Sequence, residues 1–196
     1  KGFKILRGRG VEGKINNKEI VIGNRTLLNE KKISFKEYEK EIDRYESLGK
    51  TTMIVSEKGK VLGVIAVADA LKEDSVSAIA TLNEKGYETI MITGDNEKTA
   101  RAIAKEVGIK DVIANVLPED KARKVEELQK KGFVTFIGDG INDAPALKQS
   151  NVGIAMGTGT DIAIESGDIV LANGSLTGVV QAINLSKATF GKIKQN

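Results

Sequence analysis

Two aspartates in the second half of the chain have the spacing of a cation-binding pair. Asp139 and Asp143 lie four positions apart in the segment Gly138–Leu147, which reads Gly-Asp-Gly-Ile-Asn-Asp-Ala-Pro-Ala-Leu. Two carboxylates on one tight loop repel each other unless a cation lies between them. Hard oxygen ligands in such small number suit Mg²⁺, with water and phosphate as its other ligands. For one Asp-Gly pair alone, a turn followed by a helix cap is the better explanation, but the whole segment and the partners described below favour a metal site.

The residues before this pair predict how it is held. Residues 133–137 form a short apolar run rich in β-forming residues, which predicts a buried strand. Asp139 therefore leaves the carboxyl end of a strand, where open α/β sheets bind their ligands. Gly138 and Gly140 permit a sharp turn and a close approach of the backbone to a ligand. Asn142 or the second aspartate can cap the helix that follows.

A second polar loop and a lysine are predicted at the same edge of the sheet. Thr93 and Gly94 follow another predicted strand, and their hydroxyl and backbone N–H suit a phosphoryl oxygen. Lys121 lies on the predicted helix between the two loops and can aim a compact positive charge at the same phosphate. Taken singly, Thr93 reads as a helix-start residue and Lys121 as a solvated side chain. Their order, Thr, then Lys, then Gly-Asp-x-x-x-Asp, favours a phosphoryl-binding site.

Composition excludes several other kinds of chemistry. The 196 residues contain no cysteine and no histidine, which removes thiol nucleophiles, Ser-His triads, disulfides and ordinary zinc or copper sites within this chain. The net charge of +3 and the 4% aromatic content give no support to a nucleic-acid partner. The longest apolar run, Val64–Ala68, is far shorter than the roughly 20 residues of a membrane span.

The chain shows two successive patterns of predicted elements. The first 67 residues predict strands, with hairpin turns at Asn16-Asn17 and Lys58-Gly59 and one helical stretch over 25–48. From Asp69 onward helices and strands alternate, which is typical of a parallel sheet covered by helices. Helical spacing predicts a buried stripe made of Phe35, Tyr38, Ile42, Tyr45 and Leu48. The later predicted elements are helix 71–85, strand 88–92, helix 96–107, strand 111–114, helix 117–131, strands 133–137 and 151–156, a short helix opening at 157–161, strand 168–171 and a last helix capped by Ser175.

Three glycines near the amino terminus suggest a ligand site only superficially. Gly8, Gly10 and Gly13 match the spacing of the dinucleotide-binding fingerprint, but a hairpin pattern follows them instead of a helix. We therefore reject a Rossmann dinucleotide site. The glycines are either bulge and turn residues or a place where a flat ligand lies on bare backbone.

Several motifs together resemble the P-type cation ATPases of the haloacid-dehalogenase-like superfamily. The matching segments are Thr93–Asn96, Pro118–Lys121, Gly138–Leu147 and Gly153–Gly157. The resemblance covers nearly the whole chain and implies an α/β fold. Residues 68–196 would form a Rossmann-like phosphorylation domain of the haloacid-dehalogenase type that lacks its first strand and nucleophile motif. Residues 1–67 would form part of a smaller, β-rich α+β nucleotide-binding domain, joined through a hinge at Asp69-x-x-Lys72.

The resemblance also implies roles for individual residues. Mg²⁺ would be held by Asp139 and Asp143. The phosphoryl site would comprise Thr93, Gly94, Asp95, Lys121 and Asn142. ATP would be bound by Gly8, Gly10, Gly23 and Asn24, which resemble elements of the heavy-metal-transporting members. The ending, residues 186–196, resembles the junction to the next transmembrane helix, more the copper type than the zinc type, and we expect the chain to continue there into a membrane helix.

The function implied is ATP hydrolysis coupled to export of a heavy-metal ion, copper by this resemblance, on the cytoplasmic side of a cell membrane. Its partners would be the transmembrane and actuator domains of one parent polypeptide, with no nucleic acid. The family's Asp-Lys-Thr-Gly-Thr nucleophile motif and the His-Pro element of the nucleotide site are absent, and we expect both upstream of residue 1. We therefore expect weak ATP binding and no phosphoenzyme from this chain alone. The sequence does not fix the transported ion, because its ligands would lie in membrane helices.

Two other functions stay open at this point. The first is a soluble phosphatase of the same superfamily, although the 67-residue β-rich lobe adds nothing to simple phosphate-ester hydrolysis. The second is a non-catalytic nucleotide-binding or regulatory module, which the missing nucleophile literally supports.

Overall fold

A computed structural model describes residues 2–68, 70–139, 141–157 and 165–195 of the protein. The predicted hinge residue Asp69, the loop residue Gly140 and most of the short helix predicted to open at 157–161 lie outside the described residues. The chain divides into two compact units. The first unit comprises Lys1–Ala70, Thr93–Lys105 and Val112–Asn115, and the second comprises Leu71–Ile92, Glu106–Asp111 and Val116–Asn196. The predicted domain division between residues 67 and 68 stays a prediction.

An antiparallel sheet of five strands forms the centre of the first unit, in the order β1-β2-β3-β4-β5. Its strands are β1 Lys4–Leu6, β2 Gly10–Ile15, β3 Lys18–Gly23, β4 Thr51–Glu57 and β5 Lys60–Val67. Two of its hairpins turn at Asn16-Asn17 and Lys58-Gly59, where all four residues have positive φ. Turns of this kind match the twist of the flanking strands. Both predicted hairpins are therefore confirmed.

Two helices, α1 Arg25–Glu30 and α2 Glu39–Ser47, pack on this sheet. The core between them consists of Val21, Leu27, Leu28, Ile33, Phe35, Ile42, Ile54 and Val61. Helix α2 ends just before Gly49, whose φ of 71° confirms the predicted stop. The expectation that Leu48 lies in the core is wrong, because this residue follows the helix end and is 62% exposed.

The single helical stretch predicted over 25–48 is interrupted. Lys32 has a φ of 57°, and a left-handed residue cannot continue a right-handed helix. The chain then carries Ile33 and Phe35 into the core and returns to helix through a 3-10 turn at Lys36–Tyr38. Tertiary burial of these two apolar side chains has overridden local helix propensity.

The elements after Ala70 alternate as predicted. They are α3 Ser75–Glu84, β6 Ile90–Ile92, α4 Glu97–Val107, β7 Asp111–Ile113, α5 Lys121–Gln129, β8 Thr135–Gly138, α6 Ala144–Gln149, β9 Val152–Met156, β10 Ile169–Leu171 and α7 Thr177–Gln195. Strands β10-β9-β8 form a parallel sheet, and β6 and β7 form a two-stranded sheet. The core beside the parallel sheet consists of Val125, Phe136, Ala146, Leu147 and Ala155. Among the described residues, no helix is sufficiently long and apolar to cross a membrane.

Asp74 and Lys72 join the start of α3 to the loop before α7. Asp74 Oδ2 accepts hydrogen bonds from the Ser175 hydroxyl and from the Thr177 backbone N at 2.7 Å and Thr177 Oγ1 at 2.8 Å. Lys72 Nζ donates to the Gly174 carbonyl at 2.6 Å. The predicted cap of α7 by Ser175 stays a prediction, and Asp74 accepts from the N–H of Thr177, the first residue of that helix. The bonds from Ser175 and then Thr177 lower the pKa of Asp74 to about 2.

Candidate phosphoryl and magnesium site

The end of strand β8 is shaped to hold a carboxylate. A Cβ on Gly138 would lie 2.7 Å from Cβ and 3.0 Å from Oδ2 of Asp143, so only glycine leaves room for that side chain. Lys121 Nζ donates to Asp143 Oδ1 at 2.6 Å, and the two side chains are only 18% and 11% exposed. The structure thus brings together two of the residues that the sequence predicted, and it joins them as a nearly buried ion pair.

Two helix starts place this pair. Lys121 is the first residue of α5, after a 3-10 turn at Pro118–Asp120, and Asp143 immediately precedes α6. The fully buried Val125 and Leu147 anchor these two helices in the core of the second unit. Each charged residue is therefore placed by the start of its own helix, and the packing of the two helices in the core sets the distance between them.

Asp139 and Asn142, the other two predicted site residues on this loop, are accessible. Asp139 follows the last residue of β8 and is exposed, as is Asn142 in the 3-10 turn Ile141–Asp143. No group of three or more acidic side chains within the described ranges lies together as a metal site would require. An accessible carboxylate and a nearly buried one on the same loop nevertheless fit Mg²⁺, which takes few protein ligands and completes its shell with water and phosphate.

The Thr93 loop lies in the first unit and has its own hydrogen bonds. Thr93 N donates to the Ile113 carbonyl at 3.0 Å, and Thr93 Oγ1 donates to Asp95 Oδ2 at 2.9 Å. Asp95 N donates back to Thr93 Oγ1 at 3.1 Å, while Gly94 is exposed. The expectation that Thr93 and Lys121 serve one phosphate stays a prediction.

The glycines predicted at the nucleotide site lie together in the first unit. Gly10 and Gly23 are opposite each other on β2 and β3. A Cβ on Gly10 would lie 2.2 Å from the Ile22 carbonyl oxygen, and one on Gly23 would lie 2.5 Å from the Arg9 carbonyl oxygen. Gly10 also has a φ of 144° and Gly8 one of 68°. These positions need glycine for the backbone to pass, whatever ligand they bind.

Asn24 ties the same turn to helix α1. Its Oδ1 accepts from the Leu27 N–H at 3.1 Å and caps α1, and its Nδ2 donates to the Gly8 carbonyl at 3.0 Å. The Asn24 backbone N donates to the Arg9 carbonyl at 2.9 Å. Gly8 lies in a turn as one interpretation predicted, whereas Gly10 and Gly13 lie in strand β2. ATP binding there stays a prediction.

Sequence reasoning missed one residue that contacts the Thr93–Asp95 loop. Thr51, at the start of β4, donates from Oγ1 to Asp95 Oδ1 at 2.8 Å. The two residues are 44 positions apart. No motif in the sequence marks Thr51, so no local signal could have identified this contact.

Comparison with known proteins finds matching family models and similar curated proteins. A family model described as haloacid dehalogenase-like hydrolase matches residues 4–151, and a second model with the same description matches residues 120–183. A copper-exporting P-type ATPase of Staphylococcus saprophyticus is 43% identical over 195 residues, which cover 99% of this chain and 25% of that protein. A probable copper-importing P-type ATPase A of Enterococcus hirae is 50% identical over 192 residues, or 96% of this chain and 26% of that protein.

Solved structures of P-type ATPases are also similar to this chain. A zinc-transporting PIB-type ATPase in the E2.Pi state aligns over 100% of this chain and 31% of its own, with a TM-score of 0.69 and 39% identity. The catalytic domain of the CPx-ATPase CopB-B, studied for conformational changes upon nucleotide binding, aligns over 93% of this chain and 64% of its own, with a TM-score of 0.66 and 28% identity. The chain thus spans about a quarter of the curated relatives it matches. With the mixed α/β architecture, these matches confirm the predicted fold class.

Proposed function

This chain belongs to the haloacid dehalogenase-like hydrolase family, and on that premise we propose that it is the cytosolic catalytic portion of an ATP-driven pump that exports a heavy-metal ion, copper. The relatives named as copper-transporting P-type ATPases support the reaction and the ion. The observation that carries the proposal is the nearly buried Lys121–Asp143 pair above Gly138, next to the exposed Asp139.

The charges of this site suit a phosphoryl group. Lys121 neutralises the negative charge of the bound phosphoryl oxygens, and Asp143 holds the lysine ammonium in a fixed position. Asp139 and Asp143 would hold Mg²⁺, which would supply further neutralisation of that charge. Within the first unit, Thr93 and Gly94 are proposed to donate hydrogen bonds to phosphoryl oxygens, with Asp95 supporting their loop. Within the second unit, Asn142 supports the loop that carries Asp139.

The first unit supplies the ATP site in this proposal. Gly8, Gly10 and Gly23 keep the backbone bare, so that the nucleotide lies against it, and Asn24 borders the same turn. The chain contains no Asp-Lys-Thr-Gly-Thr motif, and we assign the nucleophile to an upstream segment of the parent protein. This chain therefore binds and stabilises the phosphoryl group without accepting it.

Acid-quench labelling with radiolabelled ATP tests the proposal. The full-length protein should form an acid-stable, hydroxylamine-labile phosphoenzyme, and residues 1–196 alone should form none at any Mg²⁺ or ATP concentration. Label on residues 1–196 would show that the assigned roles are wrong. Release of phosphate from small phosphate esters by this chain would favour a soluble phosphatase, and ATP binding without labelling of the full-length protein would favour a regulatory module.

A further inference from the structure

Each carboxylate oxygen of Asp95 accepts a hydrogen bond from a threonine hydroxyl, one on the same loop and one 44 positions away. Oδ2 accepts from Thr93 Oγ1 at 2.9 Å, and Oδ1 accepts from Thr51 Oγ1 at 2.8 Å. The backbone carbonyl of Asp95 also accepts from the Asn115 N–H at 2.8 Å. Asp95 is therefore the junction between the loop after β6, the start of β4 and the residues after β7, all within the first unit.

The Thr93 hydroxyl is already engaged. It donates its one proton to Asp95 and accepts the Asp95 N–H at 3.1 Å. Because a hydroxyl has a single proton, Thr93 can donate to a phosphoryl oxygen only by giving up its bond to Asp95. The Asp95 carboxylate then loses one of its two hydroxyl donors, and Thr51 is the one that stays.

The turn that carries Thr51 is fastened to helix α4. The fully buried Thr99 donates from Oγ1 to the Lys50 carbonyl at 3.0 Å. Lys98 Nζ lies 2.6 Å from Asp43 Oδ1 in the middle of α2, and this ion pair lowers the pKa of Asp43. These contacts fix the start of β4 relative to the Thr93–Asp95 loop, so Thr51 has a fixed position from which to hold Asp95.

We propose that Thr51 is a positioning residue of the phosphoryl-binding loop. It holds the Asp95 carboxylate in place while the Thr93 hydroxyl turns from Asp95 to a phosphoryl oxygen. Strand β4 belongs to the sheet that carries Gly10 and Gly23, the glycines of the predicted nucleotide site. The Thr51–Asp95 hydrogen bond therefore links that sheet to the Thr93–Asp95 loop. The link to phosphoryl transfer rests on the proposed function, whereas the positioning of Asp95 does not.

Amide hydrogen exchange on the 196-residue chain tests the positioning. In Thr51→Val the Asp95 and Asn115 amides should exchange about tenfold faster, since one hydrogen bond to a charged group is lost. Thr51→Ser should restore protection. The matched control is Thr81→Val, whose hydroxyl donates only to the Ser77 carbonyl within α3, and it should leave both amides unchanged. Unchanged exchange in Thr51→Val, or a general loss of protection that includes β2 and β3, would overturn the proposal.

Labelling of the full-length protein tests the functional consequence. Thr51→Val should lower the rate of phosphoenzyme formation from ATP about tenfold, with half-saturating ATP unchanged, and Thr51→Ser should recover the rate. A normal rate in Thr51→Val together with faster amide exchange would overturn the link to phosphoryl transfer. If the wild-type protein forms no phosphoenzyme, the proposed function fails and the link fails with it, while the exchange experiment still decides whether Thr51 positions Asp95.

Discussion

The strand-end site (Gly138, Asp139, Asp143 and Lys121) and the glycine turn (Gly8, Gly10, Gly23 and Asn24) use their residues in opposite ways. In the glycine turn, missing side chains let backbones pass, and both polar groups of Asn24 bond to the protein itself. In the strand-end site, a nearly buried lysine–aspartate pair lies next to an exposed carboxylate.

The comparison separates what folding explains from what it leaves unexplained. Each residue of the glycine turn has a structural reason, so its pattern alone is weak support for a ligand. A nearly buried ion pair gains little net stability, because desolvation of its charges offsets their attraction. Net stability therefore gives little reason for the Lys121–Asp143 pair, whereas the proposed phosphoryl binding would give one.

The largest expected effect concerns the exposed carboxylate of the strand-end site. Asp139→Asn should lower Mg²⁺-dependent phosphoenzyme formation in the full-length protein by about a thousandfold, since a metal at the phosphoryl group is worth several kcal/mol. The melting temperature of the 196-residue chain should stay unchanged, because Asp139 is exposed. Unaltered Mg²⁺ dependence in this variant would show that the strand-end site does not bind the metal, and the functional difference from the glycine turn would be lost.

The structural role of the glycine turn is tested by Gly10→Ala. The new Cβ would lie 2.2 Å from a backbone oxygen at a φ of 144°, so we expect urea unfolding to show a loss of about 3 kcal/mol. Gly59→Ala is the control, because it also has positive φ but nothing within 4 Å of its Cβ. Equal losses in the two variants would mean that close backbone approach does not explain Gly10.

The energetic cost of the strand-end pair is tested by Lys121→Met. Leaving Asp143 nearly buried without its lysine should lower the free energy of unfolding of the second unit by about 2 kcal/mol. Lys124→Met removes the exposed pair with Glu127 on the same helix and should cost less than about 1 kcal/mol. Indistinguishable urea midpoints for the two variants would show that burial of the Lys121 pair has no special consequence.

A smaller effect on stability is expected for Asn24→Ser, which tests whether the glycine turn also binds nucleotide. Asn24→Ser keeps a good N-cap for α1 and loses the bond to the Gly8 carbonyl, so unfolding should weaken by only about 1 kcal/mol. Calorimetric titration of the 196-residue chain should show ATP affinity reduced about tenfold if the lost amide donor also contacts the nucleotide, as we expect. An unchanged affinity would leave this residue a structural role only.

Asp74 provides a reference carboxylate with purely structural contacts. Its pKa is lowered from 3.8 to about 2 by hydrogen bonds, so its stabilising contribution is complete above pH 3.8 and is lost as pH falls through 2. The melting temperature should therefore fall by about 2–4 °C more in the wild-type chain than in Asp74→Asn between pH 4 and pH 2. At neutral pH, phosphoenzyme formation by the full-length Asp74→Asn variant should match the wild type, unlike that of Asp139→Asn.

The sequence by itself determined the features that depend on neighbouring residues. Asn16-Asn17 and Lys58-Gly59 specify hairpins because these residues accept positive φ. The apolar run before Gly138 specifies strand β8, and the strand followed by Asp139 places a carboxylate at its carboxyl end. The motifs around these elements also identified the family, which the comparisons confirm.

Only the tertiary structure decided features that join distant segments. It interrupted the helical stretch at Lys32 so that Ile33 and Phe35 reach the core, and it brought Asp74 to the first N–H of α7. It also paired Lys121 with Asp143 and Thr51 with Asp95, across 22 and 44 positions. Local propensities are worth only tenths of a kcal/mol per residue, so burial and long-range hydrogen bonds prevail wherever the two disagree.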